Sequence, residues 1–188
     1  DVTATKQLKT PEDVRSAIIE CVDSDFKTVI LDSVDWLEAM FWTQLHESGF
    51  DMGFGKGNLE VRRRMKIITE SLDLVRDAGK HVILVGHSAQ IHVEHPNGMS
   101  YDQMALSVGK HSRMLISEWC DEILFCESEM VVSSKEEAFG RKRNIGVDRG
   151  TRVLYTVGKP AYQAKNRVPG LAEKFDLADV DQYISSVS

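Results

Sequence analysis

At 188 residues the chain is long enough for one domain with a substantial core and short for two. A hydrophobic content of 42% with 28% charged residues excludes a disordered chain, and no run approaches the ~20 apolar residues of a membrane helix. Net charge is −6, yet residues 135–167 carry nine basic side chains against three acidic ones, hence +6, so the remainder stands at −12; such a split excludes a protein coated for nucleic acid and points to one local anion site.

The opening stretch, Asp1 to Lys6, shows no apolar leader segment. Cys21, Cys120 and Cys126 are irregularly spaced, which argues against a disulfide framework and fits a reducing cytoplasm. Thr10-Pro11-Glu12-Asp13 is a helix start: a hydroxyl cap, a proline at the first helical position and acids in the first turn. Val14, Ala17, Ile18 and Cys21 share the buried face of that helix. The run from Thr28 to Asp32 follows, apolar and without alternation, which predicts a strand covered on both faces as in a parallel sheet. Trp36, Leu37, Met40, Phe41 and Leu45 then recur at helical spacing and are expected in the core.

A glycine-rich loop spans Gly49 to Gly57, and Asn58 is placed to cap a long helix whose buried stripe is Val61, Met65, Ile68, Leu72 and Val75. Ala78-Gly79 signals a left-handed helix end. A second buried strand, His81 to Val85, closes on Gly86-His87-Ser88, followed by a polar loop to Tyr101 and a predicted helix over 101–119. Glu122–Cys126 and Thr151–Val157 read as further strands, with 128–150 a polar, basic hairpin between them, and a short helix is expected near 177–186 in an acidic tail. The alternation of helices and strands predicts a single α/β domain over 1–188 with a mostly parallel sheet.

In such a sheet ligands gather at the carboxyl ends of the strands, where Asp32-Ser33 and His87-Ser88 would be neighbours. Asp32 with the Ser33 hydroxyl suits a hydrated Mg²⁺ beside nucleotide phosphates, and equally suits capping of the helix that starts near Val34. Ala164-Lys165-Asn166-Arg167 adds cations that can meet transition-state charge or stand as solvated surface charges. His87, His92 and His95 match no standard zinc spacing.

The order and spacing of these segments, together with Gly53-Phe54-Gly55-Lys56-Gly57, Tyr101-Asp102, Glu118-Trp119-Cys120-Asp121 and Arg152-Val153-Leu154-Tyr155-Thr156, resemble the phage-type RecA-like AAA ATPases, relatives of the RecA, RadA and DnaB motors, from about residue 8 to 178. The resemblance implies a three-layer RecA-like P-loop NTPase core that binds ATP and Mg²⁺. It also implies a homo-oligomer acting on single-stranded DNA in recombination or replication, in the host cytoplasm where the gene is a phage's. By the same resemblance Asp32 and Ser33 hold the metal, His87 senses the γ-phosphate, and Lys165 and Arg167 reach a neighbouring subunit's nucleotide. Lys56 and Arg141-Lys142-Arg143 become the expected DNA phosphate contacts, with 49–57 and 88–100 as the DNA loops; as bland alternatives these are solvated loops. Val168 departs from the aromatic that often follows the Lys-Asn-Arg triplet.

No Gly-x-x-x-x-Gly-Lys-Ser/Thr loop is found, and the nearest glycines follow the acid strand instead of preceding it. The expectation is therefore a carboxyl-terminal portion of the full domain, with 168–188 as its acidic tail, which alone hydrolyses no ATP. The alternative is a RecA-like DNA- or protein-binding module that hydrolyses no nucleotide.

Overall fold

The structure, a computed structural model, describes residues 8–137 and 141–187, with the side chains of 130–149 outside that description. It is a mixed α/β molecule whose residues gather into two compact units. One takes the chain up to Ala89 with Ala105–Cys120, the other Gln90–Met104 with the chain from Asp121 on.

In the first unit, α1 (Pro11–Glu20) starts as its sequence predicts: Thr10 Oγ1 accepts the Asp13 amide at 3.1 Å while the Asp13 carboxylate accepts the Thr10 amide at 2.9 Å. After β1 (Thr28–Asp32) come α2 (Val34–Glu47), a 3₁₀ turn at Gly53–Gly55, α3 (Lys56–Asp77), β2 (His81–Val85) and, later in the chain, α4 (Lys110–Trp119). The long helix begins two residues before the expected cap, with Gly55 in the left-handed conformation at its N-cap. Its stripe of Val61, Met65, Ile68, Leu72 and Val75 is buried against Val34, Leu37, Phe41 and Leu45 of α2, with Val14, Ile18 and Ile116 completing the cluster. Each such side chain contributes on the order of 1.5–3 kcal/mol relative to exposure.

β1 and β2 pair in parallel, Val29 beside Val82, Leu31 beside Leu84 and Asp32 beside Val85. Burial alternates along both strands, which corrects the expectation of a doubly covered strand. Val29, Leu31, Val82 and Leu84 pack on the helical core, whereas Ile30, Ile83 and Val85 are 53%, 47% and 40% exposed. An unbroken apolar run meets the demands of two covered faces, but the helical cluster described here meets only one of them. Trp36 is likewise not core: it is 66% exposed, since the buried face of α2 is set by Val34, Leu37, Phe41 and Leu45.

The segment expected as one helix over 101–119 divides. Residues 100–106 form β4 (Ser100–Leu106), which pairs with β3 (Ser88–Glu94), and α4 starts only after Gly109, which stands at its N-cap. Ser100 to Gln103 alternate between exposed and half-buried, a strand period, and the turn closes on Gly98 at φ +82° with the His95 amide bonded to the Met99 carbonyl at 2.9 Å. The polar stretch 88–100 is thus largely strand, not loop.

In the second unit the expected hairpin is present and longer than its sequence suggests. β5 (Phe125–Glu137) runs antiparallel to β6 (Arg141–Tyr155), and β7 (Lys174–Asp176) adds to the β6 edge. Among the described strands the parallel pair is β1 with β2, and Met104 and Tyr162 add an isolated parallel bridge. Val153, Leu154 and Thr156 form the buried spine of this unit. α5 (Val180–Val187) closes the described chain close to where the tail helix is expected. Among the described residues no helix is long and apolar enough to cross a membrane.

Candidate functional site

The parallel register brings the carboxyl ends of β1 and β2 side by side, so Asp32-Ser33 and Gly86-His87 emerge together. Asp32 is exposed, and its carboxylate makes no hydrogen bond or ion pair among the described residues. It is not the helix cap: that position belongs to Ser33, joined to Asp32 by a cis peptide and making no side-chain cap bond. Ser33 is 7% exposed, and its Oγ meets no partner at full hydrogen-bond geometry among the described residues, yet it stands close enough to the Asp35 carboxylate to help hold that group's pKa down. A free carboxylate beside a buried hydroxyl is a set of hard oxygen donors, which fits Mg²⁺ better than a softer metal.

Behind this pair stands a residue that the sequence reading did not single out. Asp35, in the first turn of α2, receives the His87 ring nitrogen Nδ1 on Oδ2 at 2.9 Å and the His87 amide on Oδ1 at 3.2 Å. Burial pushes the Asp35 carboxyl upward, but the His87 ring and amide outweigh it and hold the group below the usual carboxylate range. The His87 ring itself is 71% exposed against 17% for the Asp35 side chain, so the carboxylate is sheltered and the imidazole presented. In the sequence Asp35 belongs to the segment Val34-Asp35-Trp36-Leu37 that follows the acid strand in the family resemblance, and locally it is an acid at a helix start, which a dipole argument explains without any role in a site.

Close packing supports the presentation. A Cβ on Gly86 would meet Leu106 Cδ1 at 2.4 Å and Val34 Cγ1 at 3.1 Å, and the His87 carbonyl accepts the Ser107 amide at 2.8 Å. One turn further along α2, Glu38 is 7% exposed and accepts the Gly109 amide on Oε2 at 2.8 Å, while its buried Oε1 meets no partner among the described residues. Glu38 also escaped the sequence reading, because a carboxylate on a helix is expected to be solvated.

The remaining candidates are cations. Lys165 and Arg167 belong to the second unit and are described there. Lys165 exchanges backbone hydrogen bonds with Ile123 at 2.7 and 2.9 Å, Asn166 Nδ2 donates to the Thr156 carbonyl at 3.1 Å, and Arg167 Nη1 donates to Asp121 Oδ1 at 2.6 Å. Lys56, in the first unit, is ion-paired with Asp51 of its own loop. That loop turns through Phe54, a fully exposed residue at φ +52°, and packs Gly57 where a Cβ would meet Trp42 Cζ3 at 2.9 Å. Arg141, Lys142 and Arg143 lie on β6 opposite Glu137, Glu136 and Lys135; their side chains are outside the described ones.

A family model described as an AAA domain matches residues 1–168, and no curated protein matches the chain.

Proposed function

The chain belongs to the AAA domain family, which supports a nucleotide-binding, ATPase-type role, and we propose that it is a RecA-like ATPase of phage type, acting as an oligomer on single-stranded DNA in recombination or replication. The observation that carries this reading is the unpaired Asp32 carboxylate beside the buried Ser33 hydroxyl at the end of a parallel strand, with the exposed His87 ring on the adjoining strand end. Asp32 and Ser33 would hold Mg²⁺, the first through water, and the ion would neutralise phosphate charge. His87 faces the terminal phosphate. Lys165 and Arg167 serve as cations for a neighbouring subunit's nucleotide, a role worth on the order of 10³–10⁵ in rate. Lys56, Arg141, Lys142 and Arg143 supply phosphate contacts for DNA, whose affinity then falls steeply with added salt.

The test is Asp32→Asn. Mg²⁺-dependent ATP hydrolysis by the intact protein should drop by about 10²-fold or more, with thermal unfolding unchanged because the side chain is exposed and unpaired. Undiminished turnover in that variant would remove Asp32 from the chemistry.

A non-hydrolysing DNA- or protein-binding module is the second reading, favoured by Ile30, Ile83 and Val85, which leave one apolar sheet face open to another polypeptide. Calorimetry separates the two: saturable Mg-ATP binding supports the first, and DNA or protein binding without it the second.

A further inference from the structure

We infer that Asp35 is the positioning residue of this site, holding the His87 ring with its hydrogen on Nδ1 so that Nε2 faces outward as a proton acceptor. The pairing stands on geometry alone, whereas what the ring then does rests on the nucleotide reading above.

An ionised carboxylate only accepts hydrogen bonds, so the 2.9 Å contact between Asp35 Oδ2 and His87 Nδ1 places the hydrogen on Nδ1. A neutral imidazole carries one ring hydrogen, which leaves Nε2 with a lone pair. The second oxygen of Asp35 takes the His87 amide at 3.2 Å, so one carboxylate grips both ring and main chain of the same residue. Asp35 is itself fixed in the first turn of α2, next to Val34, which is 1% exposed. The result is an oriented ring on a rigid mount, with its free edge in solvent.

The orientation has a chemical consequence. Through Nε2 a neutral His87 accepts a hydrogen bond and donates none, so it meets a phosphate oxygen only when the ring is protonated on both nitrogens. The partner it suits is water. In hydrolysis Nε2 would take a proton from the attacking water as its oxygen bonds to the γ-phosphorus and the bond from that phosphorus to the diphosphate breaks. The diphosphate leaves with the bonding pair, Asp35 stabilises the imidazolium, and the proton then passes to bulk water. This differs from the sensor role that the family resemblance implies for the same ring.

The test begins with nitrogen-15 NMR of the histidine rings at about pH 8, where an ordinary imidazole is neutral, with His87 assigned by difference against His87→Gln. Nδ1 should be the protonated nitrogen in the wild-type protein, and Asp35→Ala should shift the hydrogen to Nε2, which free imidazole side chains favour. A wild-type ring protonated on Nε2, or an Asp35→Ala ring unchanged from wild type, overturns the positioning role. The near-isosteric Asp35→Asn, made in the intact protein, supplies kinetics without removing the side chain: kcat for ATP should fall by about 10²-fold with KM within twofold. A raised KM at unchanged kcat would make Asp35 part of nucleotide binding and overturn the inference. Protein that shows the expected tautomers yet binds no Mg-ATP would sink the nucleotide reading while the Asp35–His87 pairing stands.

Discussion

Asp32 and Arg167 are both exposed charges proposed for the same chemistry, yet their surroundings differ. Asp32 makes no contact with a counter-charge among the described residues, whereas Arg167 donates to Asp121 at 2.6 Å and Lys56 pairs with Asp51. The Arg167 and Asp121 side chains are 60% and 64% exposed, a setting in which an ion pair is worth about 0–1 kcal/mol. Such a pair holds a cation in place and still lets it change partners. The strand end works the other way, with no internal neutraliser for its carboxylate and with a buried hydroxyl beside it. An exposed carboxylate with no internal counter-charge is solvated and stays free to meet a cation from outside.

The largest test of this contrast is a mixing experiment. In the intact protein Arg167→Ala alone should lose ATP turnover by about 10³-fold, and mixing it with Asp32→Asn protein should restore part of the activity if the arginine serves a neighbouring subunit. No recovery at any mixing ratio would confine Arg167 to its Asp121 pair. A middle-sized effect comes from the glycines that bring each region close. Gly158→Ala would put a Cβ 2.7 Å from the Ala164 carbonyl, and backbone yields little, so a loss of about 2 kcal/mol is expected by urea unfolding. Gly86→Ala meets the far end of the Leu106 side chain first and should lose about half as much. Equal losses would show that the two approaches are equally rigid.

An effect no larger than that of Gly86→Ala concerns a paired carboxylate, for contrast with Asp32. Glu60 accepts from Arg63 Nε and Nη2 at 2.7 Å each and from Arg64 at 2.9 Å, and the Arg63 guanidinium beside it draws its carboxyl from 4.5 down to about 2. A folded-state value below the unfolded one adds stability above about 4.5 that is lost as pH falls towards 2. Glu60→Gln should therefore be about 1 kcal/mol less stable at neutral pH, with the gap closing on acidification. A gap that widens in acid would contradict the pairing.

Much of this is legible without coordinates, and the reason is range. The Thr10–Asp13 box, the buried stripe of α3 and the left-handed Gly79 after it depend on residues within a turn or two of one another. Tyr101 to Leu106 forms a strand where its sequence predicts a helix, because one apolar-polar pattern of that length serves either until a partner strand decides. Trp36 followed the helical spacing but faces away from the cluster that Val34, Leu37 and Phe41 define.

The linear chain by itself determined the alternation of helices and strands, the split of its charge, and the acid and imidazole that close its two parallel strands, because periodicity and end residues are local properties. Only the tertiary structure decided that one face of those strands lies open and that Asp35 holds His87 across 52 residues. Coverage of a face and pairing at a distance depend on which surfaces meet in space, and no local pattern encodes that meeting.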